Sequence, residues 1–268
     1  MIDRFQLLYD LEDRGVWDSL ARNTNLTEEQ IDFLYQTEGV DKDYLAQYPK
    51  LTEEQFMRFF NDDIVWNKNY FAQNPHLTEE QIDFLYQTEG VDKDYLAQYP
   101  KLTEEQFMRF FNDDIVWNKN YFAQNPHLTE EQIDFLYQTE GVDKNYLAKY
   151  SKLTEEQFMR FFNDGRVEKK HLSQNPHLTE EQIDLIYQTD FYALQYLAKY
   201  SKLTEEQFMR FFNDEQVDKK HLSQNPHLTE KQIDLLYQDK GVDKDYLARY
   251  PKLTEEQFMR FFALSDRD

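Results

Sequence analysis

The sequence contains no cysteine, only 6 glycines and 7 prolines among 268 residues, and 30 basic against 52 acidic side chains. Each shortage excludes something. Without cysteine there is no disulfide, no thiolate nucleophile and no cysteine-held zinc or iron–sulfur centre, which fits a reducing compartment. The glycines form no phosphate-cradling loop. A formal charge of −22 speaks against gripping DNA or RNA directly, because phosphate binding is driven by lysine and arginine displacing counterions. No apolar run approaches the about 18 residues of a membrane span. The start, Met1-Ile2-Asp3-Arg4, lacks the basic and apolar regions of a signal peptide. The expectation is a soluble, cytoplasmic protein with no membrane partner, a phage-infected bacterial host being one setting.

What is abundant is aromatic: 22 Phe and 19 Tyr, within 40% hydrophobic residues, are enough for a substantial core. They are arranged by repetition. The string Leu-Thr-Glu-(Glu/Lys)-Gln begins at 26, 51, 77, 102, 128, 153, 178, 203, 228 and 253, a period of 25 or 26 residues. Two flavours alternate, one continuing as in Ile31 to Gln36, the other as Phe-Met-Arg-Phe-Phe, Phe56 to Phe60. The duplicated unit is therefore a pair. Residues 26–76 and 77–127 are the same 51-mer letter for letter, and 128–177 and 178–227 are diverged 50-residue versions.

Thr27-Glu28-Glu29-Gln30 reads as a capping box, in which the threonine hydroxyl accepts from a free backbone N–H and the glutamine reaches back. Ile31, Leu34 and Tyr35 then fall on one helical face, and Gly39 is placed to close the helix in a left-handed conformation. Asp41 is a second N-cap and Pro49 a stop, with room between them for a short α or 3-10 helix. The second flavour repeats the plan from Thr52, with Phe56, Phe59 and Phe60 as its face and a short element between Asn67 and Pro75. A short helix with one apolar face cannot bury it alone, so units must stack. The expected fold is all-α, an α-solenoid of about ten two-helix repeats, each a long helix followed by a short one. Residues 1–25 form a degenerate N-terminal cap, with Ile2, Phe5 and Leu8 as its face and Gly15 as its stop. Residues 26–252 carry the repeats, in the pairs 26–76, 77–127, 128–177 and 178–227 and the half pair 228–252, and 253–268 form a truncated capping helix.

The segment Asn69-Tyr-Phe-Ala-Gln-Asn-Pro-His-Leu-Thr-Glu-Glu-Gln-Ile-Asp-Phe-Leu-Tyr resembles the leucine-rich variant repeat, whose pattern sets an apolar-Ala pair before Asn-Pro and then a leucine-bearing helix. The resemblance implies a superhelix of alternating α and 3-10 helices and implies no activity. Asn-Pro stands at 74–75, 125–126, 175–176 and 225–226, whereas Tyr-Pro or Tyr-Ser takes its place at 48–49, 99–100, 150–151, 200–201 and 250–251.

No catalytic centre is expected. The acidic pairs sit in first helical turns, where negative charge complements the helix dipole, and neighbouring exposed glutamates lack the split pKa values that acid–base chemistry needs. Nine Glu-Glu pairs and Glu230 supply 19 of the negative charges, so most of the acidity belongs to helix starts. Stacked, they would still line an edge, formed in the more acidic N-terminal half by Glu28, Glu29, Glu53, Glu54, Glu79, Glu80, Glu104 and Glu105. The pairs 26–76 and 77–127 carry −6 each, against −2 for 128–177 and −4 for 178–227. Asp62, Asp63, Asp113 and Asp114 add to the same half. His76, His127, His177 and His227 recur singly and form no ligand set, so no metal and no cofactor is expected.

Two departures from the repeat are further binding candidates. Ile64-Val65-Trp66 and its copy ending in Trp117 put an aromatic anchor on a connecting loop, the alternative being packing between units. At 190–195, Asp190-Phe191-Tyr192-Ala193-Leu194-Gln195 replaces Glu-Gly-Val-Asp-Lys-Asn, erasing both the helix stop and the second N-cap. Either two helices fuse there, or Phe191, Tyr192 and Leu194 form an exposed apolar spot. The function expected is a non-catalytic protein-binding scaffold, monomeric or weakly self-associating. Its sharper form is an acidic inhibitor that mimics nucleic acid in a partner's basic groove, as a phage or mobile element would deploy against a host defence. The alternative is a structural spacer or self-assembling repeat protein.

Overall fold

The structure, a computed structural model, describes residues 14–62, 67–113, 118–242, 244–248, 250 and 253–265. The apolar cap residues Ile2, Phe5 and Leu8 lie outside them. Among the described residues every regular element is helical, and none is long and apolar enough to cross a membrane. The chain divides into two units, Met1–Val142 and Asp143–Asp268. In each, long and short helices alternate and pack on their neighbours as in a helical solenoid. The first unit runs Arg14–Ala21, Glu28–Gln36, Lys42–Gln47, Glu53–Asn61, Asn69–Ala72, Glu79–Gln87, Lys93–Gln98, Glu104–Asn112, Asn120–Ala123 and Glu130–Gln138. The second runs Lys144–Tyr150, Glu155–Asn163, Lys169–Leu172, Glu180–Thr189, Leu194–Tyr200, Glu205–Asn213, Lys219–Ser223, Glu230–Gln238, Lys244–Ala248 and Glu255–Ser265, with a 3-10 turn at Phe191–Ala193.

The long helices start where the capping boxes place them. From Thr27 to Thr254, each threonine accepts from the N–H of the glutamine three residues on, whose side-chain oxygen accepts from the threonine N–H. The same glutamine also reaches the preceding long helix. Gln55, 3% exposed, donates to the Glu28 carbonyl at 3.0 Å and the Asp32 carboxylate at 2.8 Å, and Gln81 donates to the Glu53 carboxylate at 3.0 Å. A local cap is thus also a joint between repeats.

The core alternates with these joints. Phe56 and Phe59 are fully buried, and the Phe56 ring meets Phe71 of the next short helix edge-on at 5.2 Å and Phe84 of the next long helix at 6.0 Å. Short helices contribute a large residue followed by a small one, Leu45-Ala46, Phe71-Ala72 and Leu96-Ala97, all fully buried, so that backbones approach closely. Asn74, 2% exposed, donates to the carbonyls of Ala46 and Pro49, both at 2.9 Å, and accepts from His76 N–H. Asn125, Asn175 and Asn225 repeat this staple.

Helix ends differ from expectation. The helix from Glu28 stops at Gln36 with Thr37 extended, and Gly39, at φ +85°, makes the turn two residues farther on rather than closing the helix. The closing group is Lys42, 8% exposed, which donates to the carbonyls of Leu34 at 3.0 Å and Thr37 at 2.5 Å. Lys68, Lys93, Lys119, Lys169 and Lys244 likewise donate to carbonyls at the end of the preceding long helix. Lysine suits the place: its chain lies along apolar surface while the ammonium satisfies carbonyls that have no partner within the helix. Gly15 is the second residue of helix Arg14–Ala21, not a stop.

Candidate functional site

The acidic candidates fall into two groups. In the first unit Glu28, Glu29, Glu53, Glu54, Glu79, Glu80, Glu104 and Glu105 are exposed, each pair in a first turn. They are not all idle, since Glu53 and Glu104 each accept from a capping-box glutamine of the next long helix, Gln81 and Gln132. Leu26, Thr27, Glu28, Glu29, Lys50, Leu51 and Thr52 line a shallow depression of about 760 Å³ between two successive starts, so the acidic edge is interrupted by a lysine. Asp62 and Asp113 serve the packing: Asp62 accepts from the Tyr35 hydroxyl at 2.5 Å, and Asp113 from that of Tyr86. Burial, and then these hydrogen bonds, hold both phenols well above their usual range. Asp63, Asp114, Trp66 and Trp117 lie outside the described residues.

The substituted segment does not fuse its helices. The helix ending at Thr189 is followed by Asp190 in an extended conformation, whose carboxylate accepts from Ala193 N–H at 3.1 Å. Asp190 caps the 3-10 turn, and the helix Leu194–Tyr200 that follows has lost its side-chain N-cap, as the sequence implies. Phe191 is 53% and Tyr192 81% exposed, whereas Leu194 is 3% exposed. Leu194 therefore leaves the expected apolar spot, because it occupies the position of the carbonyl-capping lysines Lys42 and Lys93 and fills their buried channel with carbon.

The short helices form a layer of their own. In the first unit this layer presents Tyr44, Tyr70, Tyr95 and Tyr121 among glutamines, with Gln47 donating to Gln73 at 2.7 Å and Gln98 to Gln124 at 3.1 Å. Burial, reinforced by Asp41, pushes the Asp43 carboxyl up to about 6. In the second unit the corresponding row is Tyr146, His171, Tyr196, His221 and Tyr246. Burial holds both imidazoles below their usual range. A groove of about 850 Å³ opens in this layer, bounded by Glu168, Lys169, Lys170, Asp190, Tyr192, Tyr196, Lys199, Tyr200 and His221 among others. Among the described residues no three His, Asp or Glu gather as a metal ion would need.

In comparison with known proteins, a profile of the FMRFamide related peptide family matches residues 51–59, 102–110, 153–161, 203–211 and 253–261. The likeness is confined to one nine-residue stretch per pair. In the stretch at 51–59, Phe56 and Phe59 are buried in the middle of a long helix, so the shared letters serve here as a packing face. No curated protein and no solved structure matches the chain.

Proposed function

We propose that the protein is a non-catalytic scaffold of the leucine-rich variant kind that offers the acidic helix-start edge of its first unit to a protein with a basic, nucleic-acid-binding surface. One observation supports this above others. Along the five long helices starting at Glu28, Glu53, Glu79, Glu104 and Glu130, both residues of each acidic pair stay exposed while the threonine and glutamine beside them are tied into caps and joints. The kinship rests on the alternation of long and short helices and on the Asn-Pro connectors.

The charge density limits the mimicry. Two carboxylates per helix layer of roughly 8–10 Å, set against one phosphate charge per about 1.7 Å of duplex, amount to roughly a third of the duplex's line charge. Lys50 and Lys101 lower it further. The edge should therefore bind basic grooves in a salt-sensitive way and yield to duplex DNA. Immobilised protein should retain host proteins that elute on raising salt from 50 to 300 mM and on adding duplex DNA. A variant with Glu28, Glu29, Glu54, Glu79, Glu80 and Glu105 changed to Gln should retain far less. Retention indifferent to salt, DNA and these changes overturns the proposal.

A second reading, self-assembly through the apolar face of the helix Glu255–Ser265, is favoured by Phe258 and Met259, which are 57% and 56% exposed although Phe56, Phe107, Phe158 and Phe208, equivalent to Phe258, are fully buried. Concentration-dependent light scattering that Phe258→Ser abolishes is its expected signature.

A further inference from the structure

The pairs differ from one another mainly in their connectors. The long helix Glu-Glu-Gln-Phe-Met-Arg-Phe-Phe-Asn is unchanged at 53–61, 104–112, 155–163 and 205–213. Between the first and second units three positions of the short helices change toward positive charge, against the loss of a lysine at Leu194 and the gain of a carboxylate at Glu168 and Asp218. Asp94 is replaced at the equivalent places by Asn145 and Gln195, Gln98 by Lys149 and Lys199, and Asn120 by Lys170 and Lys220. Each step raises the charge by one, and all of them fall on the short-helix layer.

The side chains that result are arranged with rings. Lys149 lies 4.8 Å from the Tyr150 ring, Lys199 5.1 Å from that of Tyr200, and Lys220 5.9 Å from that of Tyr246. Lys170 pairs with Glu168 at 2.7 Å, both partly exposed. Of these, Lys170, Glu168, Lys199 and Tyr200 line the groove of about 850 Å³, together with Tyr192, Tyr196 and His221. That volume lies within the usual range of ligand sites, roughly 300–1,000 Å³. Tyr192, 81% exposed, stands at this groove because the 190–195 segment winds into a 3-10 turn there.

We propose that this groove is a second, independent recognition site, which takes a short segment of a partner protein bearing one or two carboxylates beside an aromatic side chain. The carboxylates would meet Lys170 and Lys199, and the aromatic ring would lie among Tyr192, Tyr196 and Tyr200. Nucleic acid fits less well. Binding through phosphates needs many cations in register, and here three lysines, of which Lys169 is engaged with the Phe162 carbonyl, share the groove with the carboxylates of Glu168 and Asp190. The site does not depend on the acidic edge, so the chain would present two surfaces of opposite preference.

The test uses the full chain labelled with ¹⁵N, titrated at low salt with the capped peptide Glu-Phe-Asp-Phe-Glu, its neutral counterpart Gln-Phe-Asn-Phe-Gln, and a fifteen-nucleotide oligo(dT). The acidic peptide should shift amides at 165–171, 190–200 and 219–223 and leave those at 28–54 unmoved. Lys170→Asn with Lys199→Gln installs the residues found at Asn120 and Gln98, so the fold should accept both. This double variant should bind the acidic peptide about five- to tenfold more weakly, as expected for two partly exposed ion pairs. Tyr192→Ala should weaken binding without changing its salt dependence. Equal binding of the neutral peptide, no amide shift at millimolar acidic peptide, or tighter binding of oligo(dT) overturns the proposal. Failure of the glutamate variant on the acidic edge leaves this result untouched, so the two readings fail separately.

Discussion

Replacing Asn125 by Ala should be among the most damaging single changes in the first unit, although it removes only a carboxamide. Asn125 is 2% exposed; its Nδ2 donates to the carbonyls of Ala97 and Pro100, both at 2.9 Å, and its Oδ1 accepts from His127 N–H at 2.8 Å. Alanine leaves two buried carbonyls and one N–H without partners. Each such group costs about 1–3 kcal/mol. His127 is exposed enough for its N–H to find water, and the loss of a buried carboxamide itself returns some desolvation energy. The expected net is about 3 kcal/mol. Asn125→Asp sharpens the argument, because it keeps an acceptor for His127 but sets a carboxylate against two carbonyl oxygens. It should be worse than alanine at pH 7.5 and recover at pH 4, where a protonated carboxyl can donate again. Because stacked repeats can open locally, the readout should be amide exchange at 97–101 and 125–129 alongside urea unfolding. An alanine variant with unchanged midpoint and unchanged exchange at those amides would refute the staple.

Two further outcomes follow from buried charge. Lys93→Met removes the donor to the carbonyls of Leu85 at 2.9 Å and Thr88 at 2.5 Å, and should cost about 2 kcal/mol with faster exchange across 86–92; a neutral effect in urea unfolding refutes the capping role. The Asp43 carboxyl, pushed up to about 6 by burial, has its Oδ1 buried without a partner. Because its folded pKa lies above the unfolded one, the folded state binds more protons between about pH 4 and 6, and stability falls as pH rises through that window. Asp43→Asn, which installs the residue found at Asn145, should therefore gain about 1 kcal/mol at pH 7.5 once solvent screening is allowed for. That gain should fade below about pH 4 in parallel denaturant titrations, and a gain independent of pH would refute it.

The helix starts were legible because their signal is local: Thr27 and Gln30 are three residues apart and satisfy each other whatever surrounds them. The apolar faces were legible for the same reason, and Ile31, Leu34, Phe56 and Phe59 are buried as their spacing predicts. What escaped notice acts across repeats or against type. Lysine reads as a surface residue, so the recurrence of Lys42, Lys68, Lys93 and Lys119 carried no structural meaning until their ammonium groups were seen on helix-end carbonyls. For that reason Leu194 looked like an exposed apolar residue. Asp62 looked like free acidity because its partner, Tyr35, is 27 residues away. On the candidate surfaces, the exposure of the first-turn glutamates followed from their positions, whereas that of Tyr192 was one of two outcomes the substituted segment left open. The groove at Lys170 and Lys199 needs three successive connectors brought together, and that information is absent from any one of them.

The joints between repeats join unlike neighbours. Gln55 and Arg58 of the phenylalanine flavour meet Asp32 of the isoleucine flavour, Tyr35 meets Asp62, and Asn74 meets the connector of the other kind. A gain or loss of a single 25-residue repeat would set like against like and leave these side chains facing the wrong partners, whereas a whole pair restores every one of them. The chain consequently has a grammar of length: it can grow or shrink by couplets and not by single lines. Excising 77–127 should leave a folded protein, and excising 77–101 should not.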